Sequence, residues 1–100
     1  MNLPRPLPDD EVIKLAKDCL TFREVILKNH AKERMDERSF NIQDIIHVIK
    51  NGKISRKPVW NEKHQNYRYY IKGEDFNGSE LEVVIAFNDK NQIIIISGLG

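Results

Sequence analysis

Residues 67–97 read YRYYIKGEDFNGSELEVVIAFNDKNQIIIIS, and the fold turns on how they are interpreted. Tyr67, Tyr69 and Ile71 alternate with Arg68, Tyr70 and Lys72; Leu81, Val83, Ile85 and Phe87 alternate with Glu82, Val84 and Ala86. A period of two sends successive side chains to opposite faces of a strand. The spacing therefore predicts strands over Tyr67–Lys72 and Glu80–Asn88. Gly73–Ser79, containing Asn77-Gly78, connects them, and Asn88–Asn91 makes a tight turn into a third strand over Gln92–Ser97. Three hairpin-connected strands form an antiparallel meander. Ile93–Ile96 is apolar at every position, which predicts a last strand covered on both faces.

Upstream, Ile54–Trp60 reads as one further strand, and Pro58 inside it argues for a sheet edge. Before that the period changes. Ile42, Ile45, Ile46 and Ile49 form a helical stripe, with Asn41 as N-cap, Asp44 completing a capping box and Gly52 as the stop. From about Asn29 to Arg38 the pattern is also helical, with Ala31 and Met35 facing inward. Thr21–Lys28 fits either a short strand or the continuation of a helix. Val12, Leu15, Ala16, Cys19 and Leu20 mark the first helix, with Asp9 as its N-cap. Cys19 lies in that apolar stripe and reads as a buried structural thiol. Pro4, Pro6 and Pro8 keep the first residues out of a helix. The expected organisation is an extended arm over residues 1–8 and a single α+β domain over residues 9–100. Two to three helices pack on one face of a three- to four-stranded antiparallel sheet.

The chain has 100 residues, 40% apolar and 31% charged, which describes one globular domain. It contains no apolar run of about 18 residues and opens without the apolar stretch of a signal peptide, so a cytoplasmic location and no membrane are expected. A single cysteine excludes an internal disulfide or a cysteine cluster. His30, His47 and His64 lack the spacing of a zinc site, and no Gly-rich phosphate loop is present. No metal and no cofactor are expected. The net charge of +1 conceals a strong asymmetry. Residues 50–72 carry seven basic groups against Glu62, whereas residues 73–100 carry five acids against Lys90. Trp60, Tyr67, Tyr69 and Tyr70 are interleaved with the basic groups. Cations attract phosphates and aromatic faces stack unpaired bases, so the segment suits single-stranded nucleic acid; a solvated strand surface over core tyrosines is the alternative.

His30, Arg34 and Arg38 are spaced by four and form one ridge on the second helix, about 100° from the Ala31/Met35 stripe. Histidine moves protons near neutral pH, and arginine clamps phosphate. His64, in a polar loop beside Lys63, is the second proton carrier in this reading. Lys57, Trp60, Arg68 and Tyr70 line the track along which RNA lies, with Trp60 read as either a stacking platform or a lid on the core. His47 reads as a surface residue, and Glu82 and Asp89 as solvated ones.

Residues 30–52, HAKERMDERSFNIQDIIHVIKNG, resemble a bacterial and phage family of small domains of unknown function. Its signature H-A-x-x-R-M-x-E-R falls on His30, Ala31, Arg34, Met35, Glu37 and Arg38; the chain departs from it at Ser39-Phe40-Asn41-Ile42. YRYYIKG and VVIAFND resemble that family's strands, so the similarity covers roughly residues 28–97. The family is in turn similar, at the level of fold, to toxin ribonucleases of the RelE and MqsR type. That resemblance implies a RelE-like sheet, RNA as substrate on or off the ribosome, a cognate antitoxin as partner, and metal-independent acid–base cleavage. The alternative is a non-catalytic binding module of a phage or mobile element, for nucleic acid or a protein partner. In the first case His30 is exposed and faces Arg68 or Lys57 across a cleft. In the second it is buried against backbone, with the arginines paired to carboxylates.

Overall fold

In the computed structural model, which describes residues 3–99, the chain runs α1 (Asp9–Phe22), β1 (Val25–Leu27), α2 (Asn29–Arg38), α3 (Ile42–Asn51), β2 (Lys53–Ile54), β3 (Val59–Asn61), β4 (Asn66–Glu74), β5 (Glu80–Phe87) and β6 (Ile93–Leu99). The α+β class is as expected, but the sheet has six strands and is mixed. Its order is β1-β6-β5-β4-β2, with β3 also paired to β4. Two features enlarge it beyond the meander. Val25–Leu27 is a strand rather than a helix extension, and it lies parallel to β6 with Val25 opposite Ile93 and Leu27 opposite Ile95. The expected strand Ile54–Trp60 is broken into β2 and β3. Pro58 has no N–H to give to a ladder, and Arg56 leaves the strand line to reach Glu82.

The helices pack on one face. Val12, Ala16 and Cys19 of α1, Ala31 of α2, and Ile45, Val48 and Ile49 of α3 meet Tyr69, Ile71, Val83, Ile85, Ile93 and Ile95 in a single buried cluster. Met35 is partly buried against it. Asn41 and Asp44 form the expected capping box, each side chain accepting from the other's backbone N–H at 3.0–3.1 Å. Asp44 also accepts from the Phe76 N–H, so one buried carboxylate ties the β4–β5 hairpin to α3. His47 lies at the surface, where its ring bonds the Glu74 carbonyl and packs at a tilt against Phe76. At α1 the N-cap is Pro8 rather than Asp9, which lies in the first turn. Cys19 is buried and donates to the Asn91 carbonyl at 3.0 Å. Burial pushes its thiol up, outweighing the nearby Arg23 charge, as befits a structural group. Of the extended arm expected over residues 1–8, residues 1 and 2 lie outside the described residues, and residues 3–8 carry neither helix nor strand. No helix among the described residues is long and apolar enough to cross a membrane.

Glu82 is a correction. The residue is not solvated but 5% exposed, its side chain accepting from Ser55 Oγ at 2.6 Å and from Arg56 Nε and Nη2. Burial alone would raise its carboxyl; the bonds from Ser55 and Arg56 and the charges of Arg56 and Lys72 outweigh that and hold it below the ordinary value. A depressed folded-state value means the contribution is complete above the unfolded-state range and is lost as pH falls through the folded one. Thermal unfolding between pH 7 and pH 3 is therefore expected to show a steeper acid loss for the natural chain than for Glu82→Gln. Parallel curves would remove Glu82 as a source of acid sensitivity.

Candidate functional site

The face of the sheet opposite the helices carries the cleft. β6 puts Ile93 and Ile95 into the core but leaves Ile94 and Ile96 only half-buried, so the expected cover on both faces is missing here. Ala86 lies beside Ile94 across the β5–β6 ladder, and these three apolar side chains line a cleft of about 590 Å³. Its rim is polar. His30 and Lys28 come from the start of α2, and His64, Gln65, Asn66 and Arg68 come from the β3–β4 hairpin. Asn88 and Asp89 come from the β5–β6 turn.

Each element has a local reason. His64 sits in a tight turn rather than a loose loop: its N–H donates to Asn61 Oδ1 at 2.9 Å, and Gln65 takes a left-handed backbone with φ 53°. Arg68 follows two residues into β4, on the face opposite Tyr67 and Tyr69. Its Nε is out of contact with solvent and has no hydrogen-bond partner among the described residues, and no carboxylate among them pairs with it. α2 begins at the cleft. Its N-cap is Lys28, which makes no side-chain cap, and its first turn holds no acid. The initial N–H groups of that helix thus lack a side-chain acceptor, and a helix N-terminus favours anions.

His30, His64 and Arg68 are brought together in this cleft; the other expected site residues are elsewhere. Arg34 and Arg38 continue the ridge away from it at about 6 Å per step of four residues. Arg34 pairs loosely with Glu37 at 3.7 Å, and its Nε is buried without a partner among the described residues. Arg38 is exposed in the last turn of α2. Lys57 borders a separate groove beside Asp9. Trp60 pairs with Tyr67 across β3–β4 and so lies on the helix-bearing face. Tyr70 shares the face of Arg68, but the Arg56 guanidinium lies over its ring, 4.8 Å from the centroid, while pairing with Glu82. The reason is geometric. Arg56 is taken up by Glu82 and Lys72 by Glu80, and Lys57 borders another groove, so the cations that composition treats as one patch do not gather at the cleft.

Lys28, the amide side chains and the apolar floor were not singled out from sequence. Lys28 carried one signal, as a lysine standing where a helix prefers Ser, Thr, Asp or Asn. Among the described residues no group of three or more His, Cys, Asp or Glu side chains is placed to hold a metal ion.

The fold and this cleft define a small α+β domain with a basic, imidazole-bearing groove on the open face of its sheet. Residues 27–97 match the family described as a domain of unknown function, DUF4258, and the chain belongs to that family. The matched span starts at the end of β1 and contains every cleft residue. Neither the curated proteins nor the solved structures include a match.

Proposed function

We propose that the protein binds single-stranded RNA across this cleft and cleaves it by metal-independent acid–base chemistry. The observation that carries the reading is that His30 and His64, 34 positions apart in sequence, line one cleft with the unpaired guanidinium of Arg68. RNA supplies its own nucleophile. One neutral imidazole accepts the 2′-hydroxyl proton as the 2′-oxygen attacks phosphorus. The other, protonated, gives its proton to the departing 5′-oxygen. Arg68, Lys28 and the first N–H groups of α2 hold the phosphate, on which charge builds in the transition state. Ala86, Ile94 and Ile96 offer an apolar floor to a base or ribose.

The products are a 2′,3′-cyclic phosphate and a 5′-hydroxyl. The test is incubation of unstructured RNA with the protein and a chelator, alone and with translating ribosomes, followed by analysis of the ends. Absence of cyclic phosphate in both settings removes the catalytic reading. Binding itself is expected to be salt-dependent: neutralising about four phosphates gives a log–log slope near −3 for single strands. A flat salt response would remove nucleic acid as the ligand. The order of helices followed by a meander supports kinship with RelE- and MqsR-type toxins, and a cognate antitoxin covering the cleft belongs to the same proposal. One observation favours a non-catalytic module instead: Arg34, the second member of the signature ridge, pairs with Glu37 and does not line the cleft. Salt-dependent binding without cleavage selects that module.

A further inference from the structure

A second groove lies on the helix-bearing face, under the N-terminal arm. Residues 3–8 read Leu-Pro-Arg-Pro-Leu-Pro. Each is either a proline, with φ fixed near −65°, or the residue before one, which is driven to extended or polyproline II backbone. Pro8 itself has φ −58° and ψ 154°, in the polyproline II region. This segment lies on a row of three aromatics, Trp60, Tyr67 and Tyr69, whose neighbouring ring centroids are 5.0 and 6.3 Å apart. The Tyr67 hydroxyl donates to the Pro4 carbonyl at 2.7 Å, and the Leu7 N–H donates to the Tyr69 hydroxyl at 3.1 Å. Burial pushes the Tyr69 phenol up, so it stays a neutral hydroxyl there. The row therefore holds backbone groups of a proline-rich segment. That is the chemistry of polyproline recognition: solvated carbonyls for phenol and indole donors, flat rings for aromatic faces, and a preformed chain that loses little entropy on binding.

The arm does not use all that the row offers. Trp60 Nε1 is shut off from solvent and has no partner among the described residues, although a buried indole N–H normally finds an acceptor. About 260 Å³ also remains open between Pro4 and Leu7 on one side and Trp60, Gln65 and Asn88 on the other. We propose that the Trp60–Tyr67–Tyr69 row is a docking groove for a proline-rich, polyproline II segment of another protein, with residues 3–8 as its resident competitor. The incoming segment places a carbonyl on Trp60 Nε1, fills the open volume and displaces the arm. The inference does not depend on the RNA reading: the Trp60–Tyr67–Tyr69 row faces away from Arg68 across the sheet, although Gln65, Asn66 and Asn88 border both openings.

Trp60 is the sole tryptophan, so its indole N–H gives one diagnostic NMR resonance. The probe is a nine-residue peptide, Leu-Pro-Arg-Pro-Leu-Pro-Pro-Leu-Pro, titrated into the intact chain. A matched peptide with every proline replaced by glycine is the control. The indole resonance is expected to move downfield and saturate with the proline peptide only. A tethered arm competes at an effective concentration of about millimolar. Loosening it with Pro4→Gly and Pro6→Gly in one chain should therefore tighten peptide binding by about tenfold. Three results overturn the proposal: no indole shift in either protein, an equal shift from the glycine peptide, or dimers of the loosened chain that take no peptide. The last would assign the groove to the arm of a second copy.

Discussion

His30→Ala is expected to lower RNA cleavage by about 10²–10⁴-fold while leaving the melting temperature unchanged, the usual contribution of one positioned acid or base. The side chain is exposed at the second position of α2 and makes no hydrogen bond among the described residues that the fold needs. His64→Ala is expected to lower cleavage over the same range. Its backbone N–H, not its ring, holds the β3–β4 turn to Asn61, so truncating the ring leaves the turn intact. One of the pair accepts a proton and the other donates one, so losing either should remove one half of the acid–base exchange. Arg68→Lys keeps the charge but loses the planar fork that grips two phosphate oxygens, and cleavage should fall with it. An unaltered rate for His30→Ala, with natural activity present, would move the chemistry out of this cleft.

Gly52→Ala is expected to destabilise the fold by about 3 kcal/mol, at the upper end of overpacking costs. For a domain of this size that is a fall in Tm of roughly 12–24 °C. Gly52 closes α3 with φ −84°, so conformational freedom is not the issue; closeness is. A Cβ there would sit 2.5 Å from both the Lys72 and the Val48 carbonyl oxygens. Both are backbone atoms, one in β4 and one in α3, and neither can swing aside as a side-chain tip would. Gly78→Ala is the contrast. Its φ of 80° disfavours an L side chain, but nothing lies within 4 Å of the added carbon. Its cost should stay near 1 kcal/mol, the price of a left-handed residue on the surface. Urea denaturation of the two variants separates crowding from backbone strain, and equal losses would refute the crowding account.

Much of the architecture was legible from local pattern. The alternation over residues 67–97 determined three strands and which of their faces is apolar, because side-chain direction in a strand depends only on parity. Asn41, Asp44 and Gly52 marked the ends of α3 because capping is satisfied within one turn of chain. His30 and Arg68 were singled out by residue type and by their positions on a helix ridge and a strand face.

Tertiary structure decided the rest. Val25–Leu27 is too short to announce itself, and only the free edge of β6 makes it a strand. Glu82 reads as solvated by alternation, yet Arg56, 26 positions away, closes over it. Ile94 and Ile96 read as covered, yet no helix packs on them, and they became a cleft floor. Lys57, Trp60 and Arg68 belong to one basic segment, yet strand pairing sends them to three different surroundings. Periodicity and caps act between residues a few positions apart, so sequence alone determined the meander, its apolar face and the ends of α3. Which side chains share a cleft depends on contacts between distant segments, and only the closed sheet sets those.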